Sequence, residues 1–111
     1  MTKNIYNENC PVSIILKILG GKWKTLIVYS LLDGTKRFNE LKRLMPNVTQ
    51  RMLTNQLREL ETDKIIDRKV YAQIPPKVEY SLTKIGYQLK PMLNQLEAWG
   101  SCYIKQMQQE K

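Results

Sequence analysis

Hydrophobic positions recur along this chain with two different periods, and the change of period outlines its architecture. Val12, Ile15, Leu16 and Leu19 share one stripe of a helix over 12–19, and Gly20-Gly21 ends it. A second helix over 22–32 buries Trp23, Leu26, Ile27 and Leu31, and Asp33-Gly34 marks the turn that follows. Residues 38–45 read as a short helix with Phe38, Leu41, Leu44 and Met45 inward, broken by Pro46-Asn47-Val48. Thr49 has the hydroxyl that caps a helix N-terminus, because it can accept a bond from an unpaired backbone N–H. The helix it opens, over 50–62, turns Leu53, Leu57 and Leu60 to the core. Two helices joined by a tight turn, the second polar on its outer side, form the helix-turn-helix pattern.

Beyond Ile66 the period becomes two. Ile66, Arg68, Val70 and Ala72 lie on one face of a predicted strand, and Asp67, Lys69, Tyr71 and Gln73 on the other. After Ile74-Pro75-Pro76, Val78, Tyr80 and Leu82 alternate with Lys77, Glu79 and Ser81. Proline cannot donate to a strand ladder, so both prolines belong at the hairpin tip. Thr83 then opens a last helix over about 83–108, which Pro91 is expected to kink or restart, and residues 106–111 are expected to fray. Leu89, Met92, Leu96, Trp99 and Tyr103 recur along it at three- and four-residue steps, flanked by Leu93, Ile104 and Met107. Such a stripe needs a cover, and in so small a chain a second subunit is the natural one. The plainer reading of these large side chains, core packing rather than a ligand pocket, stands beside it. The expected fold is mainly α with a small β-hairpin wing: a winged helix-turn-helix that dimerises through its N- and C-terminal helices. It is expected to form one domain over 1–111, with an N-terminal arm over 1–11.

Charge sharpens this picture. The chain of 111 residues carries a formal +8, a balance that favours polyanionic partners. Residues 36–77 hold ten basic side chains against five acidic ones, so the excess is concentrated on the helix-turn-helix and the wing. The absence of histidine removes the commonest general base and metal ligand. Cys10 and Cys102 are too far apart in sequence to make a zinc-binding pair, and no glycine-rich phosphate loop occurs. No enzyme, metal or cofactor is expected. No apolar run approaches the roughly 18 residues of a membrane span, and Met1 to Asn9 lack the regions of a signal peptide. A cytoplasmic protein is the expectation.

Several strings together resemble the HxlR family of bacterial regulators. They are Cys10-Pro-Val12, Gly20-Gly-Lys-Trp23, Arg37-Phe-Asn-Glu-Leu41, Gln50-Arg-Met-Leu53, Leu57-Arg-Glu-Leu-Glu61, Pro75-Pro-Lys-Val-Glu-Tyr-Ser-Leu-Thr83 and Trp99-Gly100. Each is short, but their order and spacing are specific, and they cover about residues 10 to 100. The resemblance implies a dimeric winged helix-turn-helix transcription factor. One departure is Lys64, where the family often has glycine in the turn after the recognition helix, and a slightly altered turn is expected there. The resemblance also puts Cys10 where some members carry a thiol sensor for electrophiles or oxidants. A cysteine at a helix N-terminus gains from the dipole, which favours thiolate, and Lys22 and Lys24 are near in sequence. The competing reading is an inert, half-buried residue at a subunit interface; Cys102 is a candidate resolving partner across a dimer.

The predicted DNA-reading residues are Thr49, Gln50, Arg51, Thr54, Asn55 and Arg58 on the outer side of the second helix of the motif. Arginine suits guanine, Gln and Asn suit adenine, and threonine can touch a thymine methyl or a phosphate. Lys36 and Arg37 before the motif, and Gln73 and Lys77 at the wing tip, are predicted phosphate or minor-groove contacts that set register without reading sequence. Arg68 and Lys69 either assist or face water, and Lys42 and Arg43 read as plain surface. A sequence-specific regulator binding an inverted-repeat operator as a homodimer is the favoured function. An architectural nucleoid protein of low specificity and a winged-helix protein-interaction module are the alternatives.

Overall fold

In the computed structural model, which describes residues 10–110, helix α1 (Pro11–Ile18) starts at a proline whose missing N–H is no loss in the first turn. Residues 1–9 of the expected N-terminal arm lie outside the described residues. Helix α2 (Trp23–Leu31) follows after Gly21, whose φ of 83° belongs to the left-handed region that glycine adopts without strain. Its buried side is Lys24, Ile27, Val28 and Leu31. That is the i, i+3, i+4, i+7 stripe, rotated from the expected one. Leu26, expected inside, is 39% exposed, and Val28 holds the core position instead.

Strand β1 (Lys36–Arg37) leads directly into α3 (Phe38–Leu44), and α4 (Gln50–Thr62) completes the helix-turn-helix. Leu44, expected inward, is 56% exposed, while Met45 and Val48 in the turn are buried. Strands β2 (Ile66–Tyr71) and β3 (Lys77–Leu82) form the wing. They pair antiparallel, Ile66 opposite Leu82 and Tyr71 opposite Lys77. The short β1 adds a third strand, Lys36 opposite Tyr80 and Arg37 opposite Glu79, giving the order β1-β3-β2. The hairpin alone was expected.

The last expected helix is divided. Thr83 caps α5 (Lys84–Tyr87), accepting from the Gly86 N–H at 3.1 Å, while its own hydroxyl donates to the Lys64 carbonyl at 2.7 Å. A Cβ on Gly86 would stand 2.3 Å from the Ile65 carbonyl oxygen, so only glycine lets α5 seat against the start of the wing. Helix α6 (Lys90–Gln109) begins anew with Pro91 in its first turn, so the proline restarts the helix and does not kink it. α6 holds to Gln109, past the point where fraying was expected. Ile27, Leu31, Leu41, Leu53, Leu57, Leu60, Ile66 and Leu93 are among the fully buried side chains of a single core that draws on α2, α3, α4, α6 and the sheet.

The turn after α4 explains how lysine replaces glycine. Lys64 has φ 62°, its N–H donates to Glu61, and the Ile65 N–H reaches back to Leu60. These paired bonds make a Schellman motif, which requires a left-handed residue at this position. The turn keeps its usual form and the lysine carries the strain.

Candidate nucleic-acid interface

The turn between α3 and α4 is built locally. The Glu40 carboxylate accepts from the Arg37 N–H at 3.0 Å and so takes up a free amide at the head of α3. Met45 ends the helix, and the Val48 N–H donates back to its carbonyl at 3.0 Å. Thr49 then caps α4 as expected, its hydroxyl accepting from the Met52 N–H at 3.1 Å. With Leu53, Leu57 and Leu60 locked in the core, Gln50, Arg51, Thr54, Asn55 and Arg58 line one open face. The Thr54 hydroxyl donates to the Gln50 carbonyl at 2.8 Å. Its proton is engaged within the helix.

A second concave surface lies in the angle between α4 and the wing, lined by Thr54, Leu57, Arg58, Glu61, Arg68 and Tyr80. Arg58 belongs to both surfaces and joins them. Arg68, left open between a contact and plain surface, sits here because it shares the core-facing side of the sheet with Tyr80, its register partner. A signal for this existed in the alternation of β2, where Arg68 falls in phase with Ile66.

The outer side of the wing differs from the expectation. Lys77 is the first residue of β3, set back from the tip, and its side chain is about three-quarters covered. Its Nζ lies 3.5 Å from a Glu79 carboxylate oxygen and 4.7 Å from the centre of the Tyr71 ring, with Lys69 at 4.8 Å from the same ring. The Glu79 carboxyl is held below the usual carboxylate range, chiefly by the Tyr71 hydrogen bond and then by the Lys77 and Arg37 charges, against the opposing effect of burial. Much of the wing's positive charge is therefore engaged internally. The exposed tip consists of Gln73, Ile74, Pro75 and Pro76, and Ile74 is fully exposed. Lys36 is half-buried and borders a shallow groove with Glu40, Arg43 and Leu44, while Arg37 is exposed.

The remaining predicted residues lie away from this surface. Leu89, the N-cap of α6, and Met92 in its first turn pack against the chain's own core, and the exposed stripe begins at Leu96. Trp99 is 69% exposed and stacks on Tyr103, ring centres 5.4 Å apart. Val12, Ile14 and Leu16 make α1 a second exposed apolar element. Cys10 is only 7% exposed, occupies the N-cap of α1 and offers no side-chain capping bond. The ammonium groups of Lys22 and Lys24 have partners of their own, the Trp23 ring and Glu59. Cys102 is exposed on α6. Among the described residues no helix is long and apolar enough to cross a membrane.

A helix-turn-helix flanked by a three-stranded wing, with an arginine-bearing polar face on its second helix, defines a winged helix-turn-helix protein of the transcription-regulator type. The chain belongs to the HxlR-like helix-turn-helix family, whose model matches residues 18–108. It is 57% identical over 100 residues to the uncharacterized HTH-type transcriptional regulator YybR of Bacillus subtilis (strain 168), an alignment spanning 88% of this chain and 80% of that one. The redox regulator HypR in its reduced form superposes with a TM-score of 0.84 at 52% identity, covering 89% of this chain and 98% of that one. The reduced form of the transcriptional regulator YodB from B. subtilis superposes with a TM-score of 0.72 at 38% identity, covering 81% and 89%. These relatives are named as regulators.

Proposed function

We propose that this regulator binds an inverted-repeat operator as a homodimer, reading bases through the outer face of α4. The observation that carries the reading is the single open face shared by Gln50, Arg51, Thr54, Asn55 and Arg58, continuous through Arg58 with the wing cleft that holds Arg68. Side chains of these types match groove edges, and a groove-reading helix beside a basic cleft provides the phosphate contacts that set its register. The exposed faces of α1 and of α6 beyond Leu96 support the dimer, since a second copy would remove both from water. Protection of the DNA upstream of the protein's own gene is the direct test. The reading expects two protected half-sites about 10 bp apart or a multiple of that, and uniform protection along the fragment would favour a nucleoid protein. Cys10 is the proposed entry point of an oxidant or electrophile signal. The likeness to the redox regulator HypR and the place of Cys10 at the head of α1 support this assignment.

A further inference from the structure

Among the described residues, Lys24 is the one buried charged side chain, only 6% exposed, and it occupies the first position of an otherwise apolar stripe on α2. A hydrophobe there would extend the packing of Ile27, Val28 and Leu31. Instead the Lys24 Nζ donates to the Glu59 carboxylate at 2.7 Å, on the same helix turn of α4 as Arg58. The lysine end of the pair is desolvated and the glutamate end faces water. An ion pair of this kind adds little net stability over an apolar pair of similar volume, because desolvation offsets the attraction. What it supplies that apolar contact does not is direction.

The surroundings show where direction matters. On this flank α1 and α4 do not close on each other. An open cleft lies between Ile14, Lys17 and Ile18 of α1 and Arg58 and Thr62 of α4 with its C-cap Asp63, and Lys24 and Glu59 are also on its wall. Leucines hold the other flank of α4 by close packing, and on this flank the Lys24–Glu59 bond adds a contact with a preferred direction. A roll of roughly 10–20° is as much as a preorganised contact tolerates. We propose that Lys24 is a positioning residue for DNA recognition: its bond to Glu59 fixes the roll of α4, so that Gln50, Arg51, Asn55 and Arg58 meet the groove together. The inference rests on the reading of α4 as the groove-reading helix and goes beyond it by naming what aims that helix.

The test compares affinity for the protein's own protected upstream fragment with affinity for a scrambled fragment of equal length, using the full chain. Lys24→Met should lower this ratio about tenfold, the discrimination lost when one bidentate base contact is misaligned, and leave binding to scrambled DNA nearly unchanged. Lys24→Arg, which can still reach the carboxylate, should recover most of the ratio. The double variant Lys24→Met/Glu59→Leu replaces the pair by apolar packing, and should recover the thermal midpoint without recovering the ratio. Should Lys24→Met fail to fold, the double variant decides: a lost ratio supports the positioning role and a full ratio overturns it. An unchanged ratio in folded Lys24→Met likewise overturns the proposal alone. A wild-type protein with no preference between the fragments would overturn the groove-reading assignment first, and the positioning role with it.

Discussion

The hydroxyl of Tyr29 on α2 donates a hydrogen bond to the carboxylate of Glu97 on α6, joining the helix-turn-helix body to the long C-terminal helix. The bond holds the phenol proton and raises the Tyr29 pKa above its ordinary 10.0, with smaller contributions in the same direction from desolvation and the Glu97 and Asp33 charges. The proton is held more tightly in the folded state, so the stabilisation is complete below pH 10 and fades as pH climbs through the raised value. A spectrophotometric titration should show a late-ionising phenol that Tyr29→Phe removes. If the phenol lost in Tyr29→Phe is one that ionises in the ordinary range, the bond does not form in solution.

Arg58 belongs to both the outer face of α4 and the wing cleft. Arg58→Ala should weaken operator binding by about 1–3 kcal/mol if it pairs with a base, and binding to unrelated DNA by much less. Equal losses on both DNAs would make it a phosphate contact. No loss on either would remove α4 from the interface.

Lys64 holds a left-handed backbone that glycine adopts freely. Lys64→Gly should therefore stabilise the protein by about 1 kcal/mol, visible as a higher midpoint in urea. A lower midpoint would mean that lysine makes a compensating contact.

Leu96, Trp99, Tyr103 and Ile104 are exposed along one helix. Leu96→Glu places a charge in this stripe and should convert the proposed dimer to monomers in sedimentation, with loss of tight operator binding. A dimer that survives the substitution would locate the interface elsewhere.

For Cys10, diamide or a quinone should release the wild-type protein from its operator, and a thiol reductant should restore binding if a disulfide has formed. Cys10→Ser should stay bound under the same treatment. Release of that variant as readily as wild type would leave Cys10 a packing residue, as its burial also permits.

The parts of the fold that could be read in advance are those where period and capping chemistry agree. The leucine stripe of α4, the Thr49 cap and the alternation of the wing strands are of this kind. The misreadings arise where the tertiary environment overrides a local signal. Lys24 completes a core stripe of α2, and because it is charged the apolar pattern alone points to a rotated face with Leu26 inside. β1 is two residues long and exists only through its pairing with β3, leaving no period to detect. Lys77 looked free because Pro75-Pro76 suggested a tip beside it, whereas its contacts with Tyr71 and Glu79 depend on strand register. Arg68 was visible in the alternation, but its place opposite α4 needed the packing of sheet on helix.

That two-residue strand has a mechanical consequence. The helix-turn-helix is clasped to the wing at both ends: through β1, just before α3, and through the short turn from α4 into β2. A wing joined by one connection would swing as a flap, whereas a wing held by two is a fixed jaw. On the proposed reading, the span from the outer face of α4 to the Ile74 tip then behaves as a rigid caliper laid across neighbouring grooves. DNA of unsuitable shape must bend to meet it, and base pairs that the protein never touches are selected by how easily they yield.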